Sequence, residues 1–144
     1  MAPAHARRVA PARPDGGAGA LSTPAVRAIR GAISVSENTS PAILESTTEL
    51  LAEVIGRNGL VTDDLISIIF TVTPDLTAEF PAVAAREAGL TSVPLLCASE
   101  IPVPGSLPMC IRLMLHCTIP MDRPIHHVYL REARTLRPDL GDAQ

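Results

Sequence analysis

Apolar and polar residues alternate from Val26 to Val35, with Ile29, Ile33 and Val35 on one side and Ala28, Arg30 and Ala32 on the other, which predicts a strand. The period then changes. Ser40 precedes Pro41, a pair suited to capping and opening a helix, and Ile43, Leu44, Leu50, Leu51, Val54 and Ile55 fall on one stripe until Asn58-Gly59 ends it. Leu65–Thr73, rich in Ile and Val, predicts a second strand that stops at the turn Thr73-Pro74-Asp75. A short helix is expected from about Pro81 to Ala88, closed by Gly89. Val93–Cys97 predicts a third strand, and Pro102–Ser106 is a loop too rich in proline for a sheet interior. Met109–Thr118 predicts a fourth strand, Pro120–Pro124 a turn and His127–Leu136 a fifth strand.

In the fourth strand Ile111, Leu113 and Leu115 alternate with Cys110, Arg112, Met114 and His116, so both of its faces are largely apolar. Two helices can cover only one face of a five-strand sheet, and the other face needs a partner. The expected fold class is therefore α/β, a mixed sheet with two main helices, assembled as a homo-oligomer with sites at the seams between subunits. The Ala/Pro/Gly-rich segment before Ala25 has no period and is expected to be disordered. The chain thus divides into an extension (1–25), a folded domain (26–140) and a short tail (141–144).

Composition narrows the function. The 144 residues are 47% apolar and 19% charged, which suits one globular domain. Phe70, Phe80 and Tyr129 are the only aromatic residues, too few for a base-stacking surface. From residue 27 onward nine arginines face fourteen acids, so the body is acidic and lacks the basic face that a nucleic-acid partner requires. No apolar stretch approaches the ~18–20 residues that span a bilayer, so no membrane partner is expected. The first 20 residues lack a signal-peptide apolar region, and a cytoplasmic protein is expected.

Cys97, Cys110 and Cys117 are odd in number and without C-x-x-C spacing, which reads as reduced structural thiols. His116 and the adjacent pair His126-His127 do not make a metal set with them, because neighbouring residues in a strand point to opposite faces. No G-x-S-x-G, Walker-type or G-x-G-x-x-G segment occurs, so neither a metal nor a nucleotide or other cofactor is expected.

What remains are charges placed among apolar residues: Arg30 in AIRGAISV, Arg86 in FPAVAARE, Arg112 in MCIRLMLHC and Arg137 in TLRPDL, with Glu100 between two of those runs. Partly burying a guanidinium among Ile, Leu and Met is unfavourable unless an anion or strong acceptors meet it. The set points to an anionic ligand, a small polycarboxylate. Taken singly, each arginine also reads as a side chain whose stem covers apolar surface and whose head reaches water.

Several separated strings occur in a fixed order: Ile29-Arg30-Gly31-Ala32, Thr73-Pro74-Asp75-Leu76, Phe80-Pro81-Ala82 with Ala85-Arg86-Glu87, and Val93-Pro94 with Cys97 and Glu100. Cys110-Ile111-Arg112, His127-Val128-Tyr129-Leu130 and Leu136-Arg137-Pro138-Asp139-Leu140 follow. From Val26 to Leu140 this arrangement resembles the monofunctional chorismate mutases of the Bacillus type. The resemblance implies a homotrimeric pseudo-α/β-barrel with active sites at subunit interfaces. It also implies an isomerase that rearranges chorismate to prephenate in phenylalanine and tyrosine biosynthesis.

That rearrangement is concerted and needs no nucleophile, metal or proton shuttle. It asks the protein to hold chorismate in a compact diaxial conformer and to stabilise charge that separates as the C–O bond breaks. By resemblance, Arg112 donates to the ether oxygen, Arg30 grips a substrate carboxylate in bidentate fashion, and Glu100 accepts the ring hydroxyl. Tyr129 contacts the enolpyruvyl carboxylate, Phe80, Ala82 and Leu136 form pocket walls, and Cys97 lies beside the ring hydroxyl and the developing ring cation. Arg86 and Arg137, near the entrance and the C-terminal tail, steer the dianion inward.

Two positions depart from the family. Val83 stands where a lysine is frequent, which removes a positive charge from the rim, and Pro104-Gly105-Ser106 replaces a Gly-Gly-type turn. Two other readings stay open: a non-catalytic, dicarboxylate-binding regulatory trimer, and an imine-deaminase-like trimer with an interface arginine.

Overall fold

A computed structural model describes residues 22–136 of the chain. The elements are β1 (Pro24–Ser34), α1 (Ser40–Arg57), a 3-10 turn (Thr62–Asp64), β2 (Leu65–Val72), α2 (Pro81–Glu87), β3 (Leu95–Ser99), β4 (Cys110–Pro120), β5 (Val128–Leu130) and a 3-10 helix (Arg131–Leu136). The amino-terminal extension before residue 22, the tail and Arg137 lie outside the described residues.

The five strands form one mixed sheet in the order β3-β2-β4-β1-β5. β4 is central and antiparallel to both β1 and β2, while β3 runs parallel to β2 and β5 parallel to β1. Register decides which side chains share a face. Ile29 lies opposite Leu115, Gly31 opposite Leu113 and Ile33 opposite Ile111, and across the other ladder Ile68 and Phe70 lie opposite Leu115 and Leu113. These positions form the face that the two helices cover, and their side chains are almost fully buried.

The stripe expected on α1 is the one that packs inward: Ile43, Leu50, Leu51, Val54 and Ile55 are buried, with Leu44 at its margin. The cap is Thr39, whose hydroxyl accepts from the Ala42 N–H, rather than the expected Ser40. Ser40 instead donates to Glu79 Oε2 at 3.0 Å, which ties the start of α1 to the segment before α2. At the other end the Asn58 amide donates to the carbonyls of Val54 and His126, both at 2.8 Å, so the helix stop also anchors the chain leading into β5.

Two boundaries differ from expectation. β3 begins at Leu95 rather than Val93, because Pro94 offers only its carbonyl, which accepts from Ile68 N–H at 3.0 Å, and has no N–H for the ladder. The fifth strand stops at Leu130 instead of running to Leu136. Arg131 adopts φ 55, and its guanidinium donates to Ser34 O and Ser46 Oγ at 3.1 Å each and to Glu49 Oε2 at 2.6 Å. Held in this left-handed conformation, the chain leaves the ladder and turns into the 3-10 helix, which lays Ala133 against Ala32 and Cys110.

On the second face of the sheet the 3-10 helix covers only the patch around Ala32 and Cys110, and among the described residues no helix covers the rest, as the alternation in β4 implied. Val26, Ile69 and Leu96 on this face are 67%, 36% and 61% exposed. Among the described residues no helix is long and apolar enough to cross a membrane.

Gly31 lies directly beneath α1, where there is little space for a side chain. A Cβ there would lie 3.0 Å from Val54 Cγ2, 3.1 Å from Leu50 Cδ1 and 3.3 Å from Leu113 Cγ. Gly31→Val is therefore expected to lower stability by about 1–3 kcal/mol through overpacking, read as a reduced urea midpoint. An unchanged midpoint would show that α1 is not pressed against β1.

Candidate active site

One rung of the sheet runs across four strands: Thr71 on β2 lies opposite Arg112 on β4, Arg112 opposite Ala32 on β1, and Ala32 opposite Tyr129 on β5. Alternation places these side chains on the uncovered face, together with Arg30, which sits opposite Met114. Ala32 between Arg112 and Tyr129 is small and fully buried beneath Ala133, so the 3-10 helix closes the rung at this point.

Glu100 follows β3, and its N–H donates to the Val72 carbonyl at 2.8 Å. Thr71 Oγ1 donates to Glu100 Oε2 at 2.7 Å, which aims the other oxygen, Oε1, at Arg112 Nε 3.3 Å away. The two side chains are 35% and 16% exposed for Arg112 and Glu100, a half-shielded ion pair at the floor of a cleft. Thr73, Asp75, Val103 and Leu107 help to line that cleft, whose volume is about 340 Å³. The ion pair is close but poorly aligned. Arg112 Nε and Tyr129 Oη are both buried with no hydrogen-bond partner among the described residues. Buried donors in this condition are costly, and a ligand rich in oxygen acceptors is what would satisfy them.

Cys110 lies two residues before Arg112 and is completely buried. Burial pushes its thiol up to about 11, with Arg112 opposing and Glu100 reinforcing the change. Cys117 is raised in the same direction by burial, with Asp64 adding to it. Sequence reasoning took Cys110 as a structural thiol and did not single out Thr71. Thr71 becomes visible only through the β2–β4 register, which a single sequence does not display.

The remaining candidates fall elsewhere. Cys97 lies opposite Phe70, hence on the helix-covered side, and packs against the core. With Phe80, which is 66% exposed, and Pro81, Val72 and Leu76 it lines a second cleft of about 420 Å³. Ala82 is 5% exposed and does not line that cleft, because it faces inward from α2. Arg86 is exposed in the last turn of α2. Leu136 joins Tyr129 against the small cluster of Ala32, Cys110 and Ala133, so it belongs with the Arg112 group. One chain therefore carries two separate groups, Arg112, Glu100, Arg30, Tyr129 and Leu136 on the open face and Phe80, Cys97 and Arg86 at the α2 side. No group of three or more His, Cys, Asp or Glu arranged for a metal occurs among the described residues.

A family model described as chorismate mutase type I matches residues 26–140. The chain belongs to the type I chorismate mutase family. It is 54% identical to chorismate mutase AroH of Thermus thermophilus over 122 residues, covering 83% of this chain and 99% of that protein. It is 42% identical to chorismate mutase AroH of Bacillus subtilis over 119 residues, 81% of this chain and 93% of that protein. The solved structure of a chorismate mutase from Clostridium thermocellum matches with a TM-score of 0.73 at 55% identity, covering 76% of this chain and 98% of that one. Within this chorismate mutase family member, the five-strand sheet and two main helices agree with the expected fold class.

Because their folded-state thiols are raised, Cys110 and Cys117 remain protonated at pH 8 and are expected to resist a thiolate-directed disulfide reagent until urea is added. Between the ordinary thiol value of 9.0 and about 11 the unfolded chain releases the Cys110 proton while the fold retains it, so stability falls as pH rises. Rapid labelling of Cys110 in the native protein, located by peptide mass, would contradict the enclosed thiol.

Proposed function

We infer that the chain is a chorismate mutase that rearranges chorismate to prephenate, an isomerase of phenylalanine and tyrosine biosynthesis. The observation that carries this reading is the half-shielded Arg112–Glu100 pair, set in one rung with Tyr129 on the face that also bears Arg30. A regulatory trimer without turnover is not favoured, because Arg112, Glu100 and Arg30 are all present in a chain 54% identical to a chorismate mutase.

Chorismate brings two carboxylates and an ether oxygen that gains negative charge as its C–O bond breaks. Arg112 meets that oxygen. A fixed cation interacts more strongly with the charge of the transition state than with the neutral ether, and only this difference accelerates the chemical step. Arg30 binds a carboxylate through its planar fork, and Tyr129 Oη donates to the enolpyruvyl carboxylate. Glu100 accepts the ring hydroxyl while Thr71 holds its second oxygen. Binding both ends of the flexible substrate selects the compact conformer in which the two reacting carbons approach. Leu136 walls the pocket, and Arg137 draws the dianion towards it.

The active unit of this reading is a homotrimer whose sites lie at subunit interfaces. Support comes from the separation of the two residue groups: the Phe80, Cys97 and Arg86 side of one chain cannot close over its own Arg112 across the sheet, whereas a neighbouring chain can present that side. Phe80 then shapes the wall, Cys97 borders the ring and Arg86 guides capture, while Ala82, buried beneath α2, supports the wall from behind. The reading includes cytoplasmic residence, supported by three unpaired cysteines.

Replacing Arg112 by citrulline, or by Ala, is expected to lower kcat by at least ~10²–10³-fold, the cost of one preorganised donor, with a smaller change in KM. Loss of chorismate absorbance coupled to prephenate formation measures this. Saturable chorismate binding by the wild-type protein without turnover would instead support the regulatory reading.

Shared sites have their own signature. Mixing Arg112→Ala with Arg86→Glu subunits under reversible dissociation should restore activity, since each mixed trimer contains an interface with both intact halves. Activity no higher than the average of the parents would place both arginines in one chain's site.

A further inference from the structure

We propose that Asp75 is a positioning residue for Arg112, acting through the backbone that leads into β4; the proposal rests on the mutase reading above. Thr73-Pro74-Asp75 borders the cleft of Arg112 but has no assigned substrate contact, and the Asp75 carboxylate is committed to internal bonds. Its Oδ1 and Oδ2 accept the Met109 N–H at 3.1 and 3.0 Å, and Oδ1 also accepts the Thr73 hydroxyl. That hydroxyl in turn accepts the Cys110 N–H at 3.0 Å, and Thr73 N–H donates to the Cys110 carbonyl at 3.0 Å. The Met109 carbonyl takes the Val35 N–H at 2.7 Å.

Both peptide units before Ile111-Arg112 are thus bound on their polar sides, and the carboxylate is the group that reaches Met109 and Thr73 together. The need for it is conformational. Met109 has φ 52, a left-handed conformation that a side-chain-bearing residue adopts only when its surroundings hold it there. Released from Asp75, Met109 would relax towards negative φ and rotate the first residues of β4, including the base of the Arg112 side chain.

The clamp also spans the cleft. The segment from Ile101 to Pro108 lines the space above Arg112, with Glu100 at its start and Met109 at its end. The start is fixed by Glu100 N–H to the Val72 carbonyl at 2.8 Å, and the end by Asp75. The separation of Glu100 Oε1 and Arg112 Nε therefore depends on both anchors. A misplacement of about 1 Å is enough for a large loss of rate while substrate contacts elsewhere persist.

The test measures kcat and KM for chorismate in the full chain, together with amide hydrogen exchange at Met109 and Cys110. Asp75→Ala is expected to lower kcat by about 10- to 100-fold, to change KM far less, and to speed exchange at both amides. Asp75→Asn, which keeps one acceptor oxygen, should fall between, and serves if the alanine variant does not fold. Adding Met109→Gly to Asp75→Ala should recover part of the lost kcat, measured against Met109→Gly alone, because glycine accepts the left-handed conformation without a clamp. In an Arg112→Ala background the Asp75 change should remove no further turnover.

The proposal is overturned by kcat of the Asp75 variants within twofold of wild type, or by a loss that persists undiminished in the Arg112→Ala background. Absence of mutase activity in the wild-type protein would refute the underlying reading instead, and slow amide exchange retained in Asp75→Ala would refute the clamp on its own.

Discussion

Strand β4 is hydrogen-bonded on both edges to antiparallel neighbours, and this double ladder fixes the remainder of the molecule. Its odd-numbered residues Ile111, Leu113 and Leu115 are at most 4% exposed under the helices, each contributing on the order of 1.5–3 kcal/mol of burial. The even-numbered residues must then emerge on the other face. A slip of one position would drive the Arg112 guanidinium into the core and three large aliphatic side chains out of it, a change no local rearrangement could compensate. The same apolar burial that stabilises the sheet therefore decides where the cation stands.

The stability contributed by the Arg112–Glu100 pair itself is small, because a partly exposed, imperfectly aligned ion pair gains little over solvated charges. Its value lies in readiness. Glu100 keeps the cation partly neutralised, and Thr71 prevents the carboxylate from rotating to capture it more fully. A guanidinium satisfied by two well-made bonds would have less to offer an incoming oxygen.

Much of this was legible in the chain. The stripe of α1, the alternation of β1 and β4 and the proline-rich break before β4 identified the elements, because each rests on a period or a stop signal contained within a few residues. The apolar character of both faces of β4 was enough to anticipate an uncovered side. Less legible were features that depend on distant partners. The stop at Leu130 comes from Arg131 reaching Ser34, Ser46 and Glu49, and nothing in the run His127–Leu136 announces it. Among the candidate site residues, Arg112, Glu100 and Tyr129 are named by their motifs, but motif order gives no face. Only the parallel register of β3 with β2 shows that Cys97 looks away from Arg112.

The longest ladder of the sheet joins Pro24 to Pro120 at one end and Ser34 to Cys110 at the other, so its two strands are separated by nearly the whole intervening domain. Such distant pairing makes assembly slow, since the loop must close before any contact rewards it. During synthesis, α1 emerges with its apolar stripe exposed and waits for a strand still unmade. The chain is thus most prone to wrong associations while it is being translated, and the last strands to leave the ribosome are the ones that shelter the first.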